Sequence, residues 1–346
     1  LEAVWRPTEY SGRFYGPTRL REALVRSMNL VSVRLLLFET GIGNTVRHIA
    51  KFGFGDAALP RNGSLALGAG SASPLDIAQG YAVFANGGFG IKPYVVDSIY
   101  DSNGDIVYRA NPLVVCPECL ADADETTIID PPDDTEVTGE DDEQTPEFSP
   151  EVFLENRPDA STAPELFANV NAAPPAITPQ NAFLLQDMMR DVIRRGTGRR
   201  ANVLGRRDLS GKTGTSNDFR DAWFGGFNGD LATVVWVGYD DDRPLGPGEE
   251  GSRTALPIWI QFMGAALAGV PEHQMEMPED MLIRRIDRAT GCPARAGQPN
   301  ATFEYFREGH VPDCVAPDET PDIFNDVTGV DPVDDEETSE EDESLF

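Results

Sequence analysis

Leu209-Ser210-Gly211-Lys212-Thr213-Gly214-Thr215, followed by Ala222 to Phe227 and Leu231 to Tyr239, is the stretch that decides the fold. All three segments read as strands. The last two are joined by Asn228-Gly229-Asp230, whose residues favour the tight turn of a hairpin. An antiparallel sheet is therefore predicted here. Lys-Thr-Gly on such a strand has a physical use at the edge of a cleft. The lysine supplies a fixed charge, threonine hydroxyls bind a carboxylate, and glycine lets a ligand approach the backbone. The strand can also aim a backbone N–H at a developing oxyanion. Taken alone, the triplet arises by chance and usually means an ordinary exposed strand.

Helices are predicted on both sides of these strands. Pro257 begins one that runs through Leu267. Thr178-Pro179 opens another, carried by Phe183, Leu184, Met188 and Val192 and ending before Gly196. Ser73-Pro74-Leu75-Asp76 combines a cap, a first-turn proline and an acid, and that helix should stop at Asn86-Gly87-Gly88. Two strands are expected at Tyr94 to Tyr100 and Asp105 to Arg109, with a turn at Ser102-Asn103-Gly104. From Thr18 to Glu39 the pattern gives two helices broken near Ser27-Met28-Asn29. Asn29 is placed to cap the second helix and Gly41 to end it. A further helix is expected from Thr45 to Phe52. The fold class is α+β: an antiparallel sheet flanked by helices, with a disordered acidic insertion and an acidic tail.

The charge pattern supplies the insertion and the tail. The chain has 346 residues and a formal net charge of -30. Ala110 to Asn156 holds fifteen acids and no Lys or Arg, and Ala316 to Phe346 holds thirteen acids and again no base. Removing those 28 acids from the chain's 58 leaves 30 against 28 bases, so the remainder is nearly neutral. Self-repelling, Pro-containing, aromatic-poor runs favour a solvated linker and tail. Calcium loops need a D-x-[DN]-x-[DN]-G spacing that is not found here. The domain plan is then 1–115 and 173–270 as two parts of one domain, 116–172 as the linker, and 271–346 as a C-terminal extension. Acidity argues against nucleic acid as a partner. No run of about 18 apolar residues occurs, the length a membrane span needs. Leu1 opens without an initiator Met or a signal peptide, so the sequence reads as part of a longer chain.

The cysteines are Cys116, Cys119, Cys292 and Cys314. Disulfides, free thiols, half a zinc site at Cys116-Pro-Glu-Cys119 and a redox pair all remain open from spacing alone. No metal or other cofactor is assigned.

Longer motifs carry a resemblance. Trp5-Arg6-Pro7, Tyr10-Ser11-Gly12 and Phe14-Tyr15-Gly16-Pro17, leading into Leu20-Arg21-Glu22-Ala23-Leu24 and Ser27-Met28-Asn29, are similar to the bifunctional class A penicillin-binding proteins. So are Leu67-Gly68, Ser73-Pro74-Leu75, Tyr81 to Gly88, Gly211 to Ser216 with Asp221-Ala222-Trp223-Phe224, and Thr254 to Trp259. Ser27-Met28-Asn29 stands in the place of that family's S-D-N motif, with Met28 where the signature has Asp, and Lys212-Thr213-Gly214 matches its K-T-G. The resemblance implies a serine β-lactamase/transpeptidase-like fold and a D,D-transpeptidase acting on peptidoglycan. A serine would attack the penultimate D-alanine of a stem peptide, and an amine from a neighbouring strand would resolve the acyl-enzyme.

By position, Ser27 would relay protons, Asn29 would orient the substrate amide, and Lys212 would contribute charge. Thr213 and Thr215 would hold the substrate carboxylate, beside Gly214, and the Thr215 N–H would form half of the oxyanion hole. Stem peptides with D-Ala-D-Ala ends and β-lactam antibiotics are the implied partners. The implied location is the periplasmic face of a bacterial inner membrane, with an N-terminal anchor and a glycosyltransferase domain upstream.

One departure stands out. Lys51, Lys92 and Lys212 are the only lysines, and His48, Phe89 and Leu209 stand three positions before them, so the chain contains no Ser-x-x-Lys. The nucleophile is expected upstream, and the 346 residues by themselves are expected to be nearly inert. A non-catalytic binding module and a β-lactamase-like hydrolase are the alternatives.

Overall fold

The computed structural model describes residues 5–54, 59–117 and 171–314. The disorder expected within 116–172 and across the acidic tail falls, apart from the linker's own ends, outside the described residues. The chain divides into two compact units, Leu1–Met281 and Leu282–Phe346.

The first unit is built on the strands predicted from the Lys-Thr-Gly stretch. With the helices numbered in chain order, α1 spans Leu20–Arg26, α2 Asn29–Arg34, α3 Ile42–Ala50, α4 Pro74–Ala85, α5 Pro179–Arg195 and α6 Ala255–Ala266. A π-helical turn, Leu35–Thr40, continues α2 as far as Gly41. The strands are β1 Ser98–Tyr100, β2 Ile106–Arg109, β3 Ser210–Thr215, β4 Asp221–Phe227, β5 Ala232–Gly238, β6 Met281–Asp287 and β7 Ala301–Arg307. β3, β4 and β5 form one antiparallel sheet in that order, which leaves β3 on an edge. The register pairs Lys212 with Gly225 and Thr215 with Ala222.

Helices sandwich this sheet. α4 and α5 pack against it, and so does α6. Two glycines in β4 make the approach possible. A Cβ on Gly225 would lie 2.2 Å from the Tyr81 ring of α4, and one on Gly226 would lie 2.7 Å from the Trp259 ring of α6. Removing the side chain there lets a large aromatic press directly on backbone. Phe224, Leu209, Leu256, Trp259 and Met263 form the fully buried centre beneath α6. Burying each such side chain contributes about 1.5–3 kcal/mol.

The start signal of α4 behaves as its sequence predicts. Ser73 Oγ accepts from the Asp76 N–H at 3.2 Å and the Asp76 carboxylate accepts from the Ser73 N–H at 2.9 Å, a reciprocal box with Pro74 in the first turn. Asn29 does not cap α2. It is the first residue of that helix, and the N-cap position belongs to Met28. The Glu9 carboxylate does the capping instead, accepting from Asn29 N at 3.0 Å and Leu30 N at 2.9 Å. An anion at a helix start meets both the free N–H groups and the positive end of the helix dipole.

One strand expectation is corrected. Tyr94 to Val96 stay outside any strand, because β2 offers only four residues and pairing ends at Ser98 opposite Arg109. In the second unit, β6 and β7 form a hairpin sheet that the sequence did not announce. Cys292 is bonded to Cys314, with Cα atoms 5.4 Å apart, within the usual span. Cys116 is also disulfide-bonded. At the linker, Val114 N donates to Asn171 O and Ala173 N to Val114 O, each at 2.8 Å, so the chain leaves and re-enters the fold at one place.

Candidate active site

The break between α1 and α2 is a helix terminus of defined form. Met28 N donates to Ala23 O at 2.9 Å and Ser27 N to Leu24 O at 3.1 Å, the paired bonds of a Schellman ending. That ending requires a left-handed residue, and Ser27 takes it with φ 57° and ψ 51°. Glycine usually fills this place, since a Cβ there is strained. The chain keeps a serine and so presents a hydroxyl at the corner between two helices.

The corner is held from behind by charge. Arg21 of α1 donates to Asp187 at 2.6 Å and to Asp191 at 3.2 Å, both on α5. Asp187 also pairs with Arg190, and Arg195 bonds Glu22 at 2.8 Å. Arg21 and Asp187 are both buried. Burial alone would raise the Asp187 pKa, but the charges and hydrogen bonds of Arg21 and Arg190 outweigh it and hold it below its ordinary value.

Across from Ser27 stands β3. Ser210 Oγ donates to Gln186 O of α5 at 3.0 Å and fixes the strand's start. The Lys212 Nζ donates to Ser27 Oγ at 2.7 Å and to the Thr213 carbonyl at 2.8 Å. Burial lowers the Lys212 pKa to about 8. A cleft of about 370 Å³ opens beside this pair, lined by Ser27, Asn29, Thr213 and Thr215 from the sequence-predicted set. Lys212 lies at its back through the Ser27 contact. Gly214 sits in the strand between the two threonines, with Trp223 opposite it. Thr213 Oγ1 lies 2.7 Å from Thr197 Oγ1, and Thr215 Oγ1 accepts from Gly251 N at 3.1 Å.

The structure thus brings Ser27, Lys212, Thr213 and Thr215 together. Asn29 reaches the same cleft, with its amide nitrogen donating to Thr8 O at 3.0 Å. Three lining residues, Thr197, Glu250 and Ser252, carried no signal in the sequence. Thr197 follows α5 in a Gly-Thr-Gly turn. Glu250 and Ser252 come from the loop before α6, on either side of Gly251, and Tyr10, from the Tyr10-Ser11-Gly12 motif, donates to Glu250 at 2.7 Å. Gly251 is forced by contact, since a Cβ there would lie 2.2 Å from Trp223 O and 2.4 Å from Gly214 O. A Gly-bearing loop shortly before a helix was the available clue.

Chemically, the cleft joins a buried amine, a serine hydroxyl in contact with it, and threonine hydroxyls on an edge strand. Such a set can bind an anion and pass a proton between hydroxyl and amine.

Comparison with known proteins identifies relatives of the chain. The family described as the penicillin binding protein transpeptidase domain matches residues 2–135. Penicillin-binding protein 1A of Pseudomonas aeruginosa is 42% identical over 317 residues, covering 91% of this chain and 37% of that protein. Penicillin-binding protein 1A of Vibrio cholerae is 36% identical over 335 residues, covering 89% and 36%. The crystal structure of penicillin-binding protein 1A from Haemophilus influenzae superposes with a TM-score of 0.72 at 32% identity, over 90% of this chain and 43% of that one. The chain therefore spans less than half the length of these three relatives.

Proposed function

This chain belongs to the class A penicillin-binding proteins, within their transpeptidase region, and from that premise we propose that its cleft serves peptidoglycan cross-linking through a serine acyl-enzyme. The observation that carries the proposal is the 2.7 Å contact from Lys212 to Ser27, which joins two motifs at one cleft.

As an ammonium, Lys212 can only donate, so the Ser27 oxygen accepts and its own O–H is turned away from the lysine. That hydrogen is then available to the nitrogen that leaves when the acyl-enzyme forms. Thr213 and Thr215 offer hydroxyls to the terminal carboxylate of a stem peptide, with the Lys212 charge behind them. The Thr215 N–H supplies one oxyanion donor, and losing such a donor typically costs about 3 kcal/mol of transition-state stabilisation. Asn29 orients the substrate amide. The attacking serine would come from a Ser-x-x-Lys segment, which these 346 residues do not contain. The implied partners are D-Ala-D-Ala stem peptides and β-lactams, at the periplasmic face of the inner membrane. Among the described residues no helix is long and apolar enough to cross a membrane.

Labelling with a fluorescent penicillin, followed by denaturing electrophoresis, tests the proposal. The full-length protein should be marked, and Lys212→Ala should slow marking strongly while its melting curve stays cooperative. Full-length protein that stays dark would sink the proposal. The 346-residue chain alone should remain unlabelled. Label mapped to Ser27 in that chain would overturn the relay role given to this serine.

A binding module without catalysis is the second reading, favoured only by the missing Ser-x-x-Lys. It predicts reversible penicillin binding and no covalent label even at full length.

A further inference from the structure

We propose that Thr197 is a positioning residue that aims the Thr213 hydroxyl at a ligand carboxylate. The inference rests on the transpeptidase proposal above and deepens it by adding a residue behind the carboxylate subsite.

The turn Gly196-Thr197-Gly198 is pinned on two sides. Gly196 N and Gly198 N both donate to Val192 O at 3.0 Å, which folds the turn back on the end of α5. On the other side it touches α1: Thr197 N donates to Val25 O at 3.4 Å, two residues before Ser27. Gly196 admits no side chain, since its Cβ would lie 2.5 Å from Val25 O and 2.9 Å from the Val192 Cα. Both neighbours in that clash are backbone, so neither can swing aside. The Thr197 side chain is consequently delivered to a fixed place, 2.7 Å from Thr213 Oγ1 on the cleft wall.

Proton counting gives the contact its role. A hydroxyl has one hydrogen to donate and lone pairs to accept with. In the free protein either threonine can be the donor. A carboxylate accepts only, so on binding it claims the Thr213 hydrogen. The Thr213 oxygen is then left to accept, and Thr197 is the hydroxyl placed to donate to it. Two hydroxyls in series polarise each other and strengthen the terminal bond to the anion. Without Thr197, Thr213 keeps its hydrogen but loses both the donor behind it and the contact that orients it.

The test is acylation of the full-length protein by benzylpenicillin and by its methyl ester, which lacks the carboxylate, resolving the binding constant from the acylation rate constant. Thr197→Val removes the hydroxyl and keeps the shape. It should weaken binding of the acid about fivefold, the usual worth of one hydrogen bond, and leave the ester unchanged. Thr197→Ser should restore the acid to near the natural value. Thr213→Val should show the same selective loss, more strongly. Equal losses for acid and ester, or Thr197→Ser as poor as Thr197→Val, would reduce Thr197 to a packing residue and overturn the proposal. So would a Thr197→Val protein that binds the acid normally. Thr197→Ala gives the same comparison if the valine variant does not fold. If the natural protein is acylated by neither compound, the transpeptidase proposal itself has failed, and this inference falls with it.

Discussion

The Lys212 ammonium donates to the Ser27 hydroxyl at 2.7 Å across a sequence separation of 185 residues. Neither residue is in an easy state. Ser27 is held in a left-handed backbone, and Lys212 is buried with its pKa lowered to about 8. Strain at one partner and desolvation at the other mark a place where stability has been given up locally, as functional sites commonly require.

Replacing Ser27 separates its two properties. Ser27→Ala and Ser27→Gly both remove the hydroxyl that Lys212 meets, but only glycine accepts φ 57° without strain. The glycine variant should be about 1 kcal/mol more stable than the alanine variant in chemical denaturation. Both should lose penicillin labelling at full length. Equal stabilities would mean that the left-handed corner stores no strain.

Stability should rise with pH around Lys212. Its folded pKa, about 8, lies below the ordinary lysine value of 10.5, so between those values the unfolded chain binds more protons than the folded one. The burial penalty is fully present below pH 8 and fades as pH climbs towards 10.5. It amounts to about 3 kcal/mol at most. Lys212→Met, of similar length and without charge, should flatten this part of the profile. A natural protein whose stability is level or falls between pH 8 and 10 would contradict the lowered value.

Acid should loosen the α1–α5 contact. The Asp187 pKa is held below 3.8, so its contribution is complete above that value and is lost as pH falls through the depressed folded pKa. Asp187→Asn removes the nearer of the two carboxylates that buried Arg21 meets on α5 and should cost about 3 kcal/mol. Arg21→Met with Asp187→Asn should recover part of that loss. Urea titrations at neutral pH check both. A double variant less stable than the worse single would show that the pair is more than a matter of charge balance.

Gly251→Ala should damage the site and spare the core. The added methyl meets two carbonyl oxygens, Trp223 O at 2.2 Å and Gly214 O at 2.4 Å, so the loop must lift away from β3. That movement breaks the Gly251 N–H to Thr215 hydroxyl bond of 3.1 Å. Amide exchange should quicken at Gly251 and stay slow at Phe224 and Trp236. Unchanged protection at Gly251 would show that the strand edge yields instead.

Much of this was legible because the signals were local. Ser73 and Asp76 lie three residues apart, and Asn228-Gly229-Asp230 turns on its own bonds, with the Asn228 side chain accepting from the Asp230 and Leu231 amides. Gly41 and Asn86-Gly87-Gly88 ended their helices for the same reason. The Ser27 to Lys212 pairing was reached differently, through a motif set whose members meet only in the folded chain. What escaped was long-range and carried no local signature. Asn29 is a sound cap by composition, yet Glu9, twenty residues earlier, already holds the amides of Asn29 and Leu30. Thr197 looks like a turn residue until β3 is placed beside it. β6 was overlooked because Arg284 and Arg285 interrupt its apolar alternation, and the Arg285 side chain finds carbonyl partners at Arg295 and Gln298. Tyr94 to Val96 misled in the opposite direction. Their strand propensity is high, but Val95 is 94% exposed, and among the described residues no strand pairs with this stretch.

The separation between Ser27 and Lys212 has a consequence on the ribosome. At roughly 5–20 residues per second, the 185 residues between them take roughly 10 to 40 seconds to synthesise. Arg21 waits nearly as long for Asp187, which is 166 residues away. During that interval α1 has neither its ionic partners nor the sheet its corner faces. Helices α1 and α2 therefore wait as a segment without its docking surface, open to chaperones and proteases until α5 and β3 have followed them.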